Sequence, residues 1–235
     1  MPDRDAGGPP ALSATARTSH HRLKDQGRTE RADLDAILAA GFICHLGLPA
    51  PAGIMVIPTV YGTDGQQLYL HGSVASQSLA ADAAVCVTVT LVDGLVLARS
   101  VFEHAVNYRS AMVYGRPRIV TGPAEKLAGL RCISEHLAPG QWEYTRQPSR
   151  KELAATRLLA LDLDEASVKV RSGPPDDADS PDAALGLWAG ELPLESRWQQ
   201  PVPDPALAAG HPVPGHLRAL AGTRAYQAPR RLSSP

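Results

Sequence analysis

Alternation of apolar and polar positions is the strongest signal along the chain. In VCVTVTLVD, Val85, Val87, Val89 and Leu91 share one face while Cys86, Thr88 and Thr90 take the other, as a half-buried antiparallel strand requires. Shorter apolar runs read as further strands: GFICHLGL, AGIMVIPTVYG and QLYLHG, the last two joined by a turn at TDGQ. NYRSAMVYGRPRIV continues as a long strand, with Gly115 and Pro117 marking a bulge or bend. RLLALDLDEASVKVR gives two more strands, broken at DEAS.

Helical periodicity is rarer. TERADLDAILAA sets Leu34, Ile37 and Leu38 on one stripe, with Thr29 as the expected cap and Gly41 as the stop. GPAEKLAGLRCISEHLAPG places Leu127, Leu130, Ile133 and Leu137 along one side of a helix ended by Pro139 and Gly140. In PSRKELAAT, Ser149 and Glu152 stand at capping-box spacing. Many strands and few helices predict a mainly β fold, a barrel or sandwich with α-helical decoration, because closing a sheet on itself removes its edges. The order does not fit a doubly wound α/β fold, and no period of repeat length recurs.

Composition narrows the picture. A chain of 235 residues, 44% hydrophobic, suits one domain with extensions. A formal net charge of -1 gives no counterion-release drive towards nucleic acid. Three widely spaced cysteines, Cys44, Cys86 and Cys132, form neither a disulfide framework nor a zinc ribbon and point to a reducing cytoplasm. The N-terminal stretch lacks the apolar core of a signal peptide, and no apolar run has the length of a membrane span. Gly- and Pro-rich stretches at both ends predict flexible tails over residues 1–21 and 199–235 around a domain at 22–198.

Common phosphate-loop, dinucleotide, zinc-protease and nucleophile-elbow motifs are absent. The eight histidines are scattered, which argues against a metal cluster. One stretch has anion-binding character: in LYLHGSVASQSL, His71, Gly72, Ser73, Ser76 and Ser78 gather at the end of a strand, where backbone N–H groups and hydroxyls can meet a phosphate. The same residues also suit a turn and a helix cap, which spacing alone favours. Arg109 in NYRS can fork onto a phosphate or carboxylate, or sit at a solvated strand end, and Trp188 can stack on a ring or pack on the barrel.

In order, GFICHLG, IPTVYG, LYLHGS, VTVTLVDGLVLARS, NYRS, EHLAPGQWEYTR, ELAAT and EASVKVRSGPPDD resemble the flavin-nucleotide-binding branch of the pyridoxamine 5'-phosphate oxidase-like superfamily, which includes nitroimidazole reductases. The resemblance runs from Arg22 to Leu194. It implies an FMN-binding split β-barrel, a homodimer with the flavin in a groove between subunits. It implies Pro58, Thr59 and Tyr61 along the flavin ring, His71, Gly72, Ser73, Ser76 and Gln77 around the phosphate and ribityl chain, Ser110 facing the flavin across the interface, and Trp188 near the cofactor. Gln77 departs from the arginine this branch usually carries there, and Ala105 from its usual serine.

The activity implied is an oxidoreductase that passes electrons from a nicotinamide donor to a small organic acceptor, with His71 delivering protons. The alternative is a non-catalytic flavin- or haem-binding protein, and a deazaflavin would use a similar groove.

Overall fold

The computed structural model describes residues 11–20, 24–51, 53–74, 83–208 and 210–225. The strands are β1 (Gly27–Arg28), β2 (Ile43–Ala50), β3 (Gly53–Thr63), β4 (Gln67–Ser73), β5 (Val85–Leu97), β6 (Ala105–Gly115), β7 (Arg118–Ile119), β8 (Thr156–Asp162), β9 (Ala166–Arg171) and β10 (Gly190–Pro193). The helices are α1 (Arg31–Ala40), α2 (Pro123–Leu137), α3 (Gln141–Tyr144), α4 (Arg150–Ala155) and α5 (Gly215–Leu220).

All ten strands join one antiparallel sheet in the order β1-β9-β6-β5-β2-β3-β4-β8-β7, with β10 added beside β5. The sheet coils around a core yet does not close. This is the split form of the mainly β barrel that the strand pattern predicts. One edge of β5 is shared, its Cys86–Thr88 part by β2 and its Gly94–Leu97 part by β10.

The core follows the alternation. Val85, Val87, Val89 and Leu91 are buried together with Ala111 and Val113 of β6, Leu159 and Leu161 of β8, and Leu34, Ile37 and Leu38 of α1. The first turn of α1 has no side-chain cap, because Glu30 and not Thr29 precedes it. Its C-terminal carbonyls find side-chain donors instead. The Tyr61 hydroxyl lies 2.7 Å from the Leu38 carbonyl and 2.9 Å from that of Gly41, and His136 Nε2 donates to the Gly41 carbonyl at 2.6 Å. The capping box on α4 is present as expected, with Ser149 and Glu152 bonding reciprocally.

Helix α2 covers β3, β4 and β8 through Gly129, Leu130 and Ile133, the middle of the expected apolar stripe together with a glycine beside it. Gly129 and Ile133 are its buried residues, while Leu137 is 37% exposed. Two glycines set this contact. A Cβ on Gly62 would lie 2.5 Å from the backbone of Cys132 and Ile133, and one on Gly129 would lie 2.5 Å from the Leu158 side chain. Close backbone approach, which an apolar pattern does not register, sets how near the helix comes.

Segments expected to trail as tails pack on the barrel where they are described. Thr15 and Arg17 bond the Glu165 carboxylate, and His20 Nε2 donates to the Val168 carbonyl at 3.0 Å. Beyond Gln199 the chain returns: Trp198 exchanges backbone hydrogen bonds with Thr223 and Gly222, its ring meets Phe42 edge-on at 5.3 Å, and His216 Nε2 reaches Gln141 at 2.9 Å. Single aromatic anchors hold this stretch, and they leave no period in a Pro- and Gly-rich sequence.

Candidate functional site

The strands β9, β6, β5, β2 and β3 turn one side to the core and leave the other largely uncovered. Register fixes what that open side carries. Ser167, Met112, Thr88, His45 and Pro58 form one row across the five strands. Lys169, Ser110 and Thr90 form the next, and Tyr114, Cys86, Gly47 and Val56 flank the first on its other side. Small and polar residues thus occupy the middle of the open side. Apolar ones lie towards its ends: Ile43 (46% exposed), Ile54 (87%) and Val56 (61%) at the β2–β3 hairpin, and Leu95 (45%), Val106 (38%) and Leu192 (57%) where β10 joins.

Alternation divides the expected flavin contacts. Pro58 lies on the open side, whereas Thr59 pairs with buried Cys44 on the core side. Tyr61 is fully buried, with its hydroxyl held by the end of α1, and burial raises its pKa. It is a core residue, out of reach of a ring lying on the open side. Its hydrophobic flanks in IPTVYG disguise this, since a strand end and a core strand look alike in a short apolar run.

At the end of β4, His71 pairs with Leu158, Gly72 with Arg157 and Ser73 with Thr156. His71 shares its face with Tyr69, which lies opposite Gly62, so it points to the same side of the sheet as Val60 and Pro58. The ring is half-buried, its Nδ1 is sealed from solvent without a hydrogen-bond partner, and burial holds its pKa below the ordinary histidine value. Gly72 belongs to the core side and Ser73 to the open side. Ser76 and Gln77 lie outside the described residues.

Ser110 is half-buried on the open side, opposite Thr90. Arg109 beside it turns inward. Its Nε and Nη2 donate to Asp93 at 2.9 and 2.8 Å, and both side chains are under a tenth exposed, so it serves as an internal ion pair and not as a surface anion hook. Trp188 is 69% exposed, with its ring laid over Gly190 at the start of β10. His71, Ser73, Pro58 and Ser110 therefore share one side of the sheet, and Thr59, Tyr61 and Gly72 face the other. Among the described residues no group of three His, Cys, Asp or Glu side chains could hold a metal ion, and no helix is long and apolar enough to cross a membrane.

The family model for pyridoxamine 5'-phosphate oxidase matches residues 30–170. The chain belongs to that family. Two solved structures of similar shape are close in sequence. The flavocytochrome Anf3 from Azotobacter vinelandii is 35% identical, with a TM-score of 0.83 over 89% of this chain and 98% of that one. The FAD and heme binding protein from Mycobacterium smegmatis is 36% identical, with a TM-score of 0.81 over 86% of this chain and all of that one. No curated protein matches the chain in sequence. Within this family member, sequence reasoning passed over His45, Thr88 and Thr90. Strand parity places Thr88 and Thr90 opposite the buried valines, but only the pairing of β2 with β5 reveals that His45 stands in the same row.

Proposed function

We propose that this protein binds FAD and haem and works as a flavin-dependent electron carrier, taking reducing equivalents from a nicotinamide donor and delivering them to a small acceptor. The supporting observation is the likeness, at 35–36% identity across almost the whole length, to a flavocytochrome and to an FAD and heme binding protein. The mononucleotide implied by the resemblance gives way in this reading to the dinucleotide carried in the name of the Mycobacterium smegmatis relative.

Local chemistry fits. A buried ring nitrogen without a partner costs about 1–3 kcal/mol, and a group supplied from outside the chain would offset that cost at His71 Nδ1. Burial favours the neutral imidazole at His71, a form that can accept a proton beside the flavin. The open side of the sheet, apolar towards its ends and polar in the middle, suits cover by a second copy of the chain that leaves a lined groove between them. Flavin would supply hydride acceptance and haem one-electron exchange, while the chain binds, orients and excludes water.

The test is the visible spectrum of the protein purified from haem-supplemented cells, followed by release and chromatography of its chromophores. Flavin absorption with a Soret band, and FAD in the extract, is the expected result. Colourless protein that takes up neither FAD nor haemin on titration refutes the proposal, and a dimer mass by light scattering is expected alongside.

A further inference from the structure

We propose that Lys169 and Arg171, with the hydroxyls of Ser110 and Thr90 beside them, form a phosphate subsite on the open side of the sheet that takes the pyrophosphate of a dinucleotide. This rests on the cofactor reading above and adds an anchoring point to it.

Charge singles these residues out. Elsewhere arginines are matched by carboxylates, as in Arg99–Asp177, Arg109–Asp93, Arg118–Glu125 and Arg146–Glu152. On the open side the matching stops. Among the described residues, the positions of β2, β3, β5, β6 and β9 that face this side hold no Asp or Glu. Lys169 is half-buried, and its ammonium group has no acceptor within the described chain. Arg171 donates only to neutral oxygens, those of the Asn107 side chain and of the Gly173 and Pro174 carbonyls. Two carboxylates near the ends of β9 are already engaged, Glu165 by Thr15 and Arg17, and Glu191 by Asn107 Nδ2 at 2.8 Å.

Register gathers the donors. Lys169 lies opposite Ser110 and Ser110 opposite Thr90, so the three share one face across adjacent strands about 4.8 Å apart. Arg171 follows two residues along β9 on the same face, opposite Tyr108. A point charge, a guanidinium fork and two hydroxyls within two register positions suit a compact group that accepts several hydrogen bonds at once, as a pyrophosphate does. The carboxylates of a haem stand on separate arms and need no such cluster. Strands β6, β5, β2 and β3 separate β9 from β4, so this is not the corner of His71 and Ser73.

Cover by a second copy turns the surplus of positive charge into a requirement. A two-fold interface presents the same patch from both sides, so the same five strands of the second copy bring no carboxylate either. Cations withdrawn from water without a counter-charge are costly, and a bound phosphate group offsets that cost.

The experiment titrates FAD, NADPH, riboflavin, haemin and inorganic pyrophosphate into the full-length chain freed of chromophore, with circular dichroism as the control for the fold. Lys169→Gln and Arg171→Gln are each expected to weaken binding of inorganic pyrophosphate and of one or both dinucleotides by roughly 10-fold or more, and to leave riboflavin, which carries no phosphate, unchanged. Lys169→Arg should keep most of the affinity. A loss confined to FAD makes the cofactor the occupant, and one confined to NADPH makes it the electron donor; either supports the subsite. Parental affinity for both dinucleotides in Lys169→Gln, an equal loss of riboflavin, or a loss that falls on haemin alone overturns it. If the unaltered chain takes up neither flavin nor haemin, the cofactor reading falls and the pyrophosphate titration judges the subsite by itself: binding that Lys169→Gln abolishes upholds it, and no binding removes it as well.

Discussion

Replacing Asp93 with asparagine removes the carboxylate from a guanidinium that is under a tenth exposed. Asp93 occupies the bulge where the β5–β6 register shifts between Val92 and Gly94, and this extra residue swings its side chain in towards Arg109. Two hydrogen bonds of 2.9 and 2.8 Å join them, at 9% and 7% side-chain exposure. Taking one partner from a buried pair costs about 3–5 kcal/mol, a large share of the ~5–15 kcal/mol that holds an ordinary domain together. Urea unfolding followed by circular dichroism should show the midpoint of Asp93→Asn falling accordingly. The double variant Asp93→Leu/Arg109→Met should regain most of the loss, because it removes both charges from the interior. An asparagine variant within ~1 kcal/mol of the parent, or a double variant no more stable than the single one, would show that the pair is not the anchor described.

Other substitutions probe the packing and the titrating groups. Gly62→Ala forces a methyl group against the α2 backbone 2.5 Å away and should cost about 1–3 kcal/mol in the same assay; an unchanged midpoint contradicts the close approach. Tyr61→Phe leaves the Leu38 carbonyl buried without its donor and should cost about 1–3 kcal/mol, with the far-ultraviolet spectrum preserved. His71 and His136 are both held below the ordinary histidine pKa, chiefly by burial, so the unfolded chain takes up their protons first as pH falls through ~6.5. Stability should be fully present above that pH and decline below it, still above the range where carboxylates titrate. A flat unfolding midpoint between about pH 7.5 and 5.5, or no flattening in the His71→Gln/His136→Gln variant, would reject this linkage.

The strands were legible wherever parity was unbroken. Val85 to Leu91 and Leu159 to Leu163 face the core as their alternation demands, and Ser149 with Glu152 caps α4 as spaced. Legibility failed where contacts between distant segments decide. Tyr61 looks like a strand-end aromatic until α1 is placed over it. On α2, Leu130 and Ile133 face the sheet as their spacing implies, but Gly62 and Gly129, which no apolar pattern registers, set how closely the helix comes. Arg109 reads as a surface hook because the partner that claims it, Asp93, reaches it only through a bulge. On the candidate site, His71, Ser73, Pro58 and Ser110 share a side of the sheet. His45, never singled out among eight scattered histidines, joins them only through the β2–β5 register.

The division of one β5 edge between β2 and β10 has a consequence for biogenesis. β2 precedes β5 and is ready when it emerges, but β10 follows by some ninety residues, which at ribosomal speed is a delay on the order of 5–20 s. Throughout that interval Gly94 to Leu97 presents an unpaired, largely apolar edge to solvent, and β1 likewise waits for β9. Yield in cells should therefore hinge on how well nascent chains are shielded during late synthesis, and slowing elongation before Gly190 should favour insoluble product well before it alters the finished molecule.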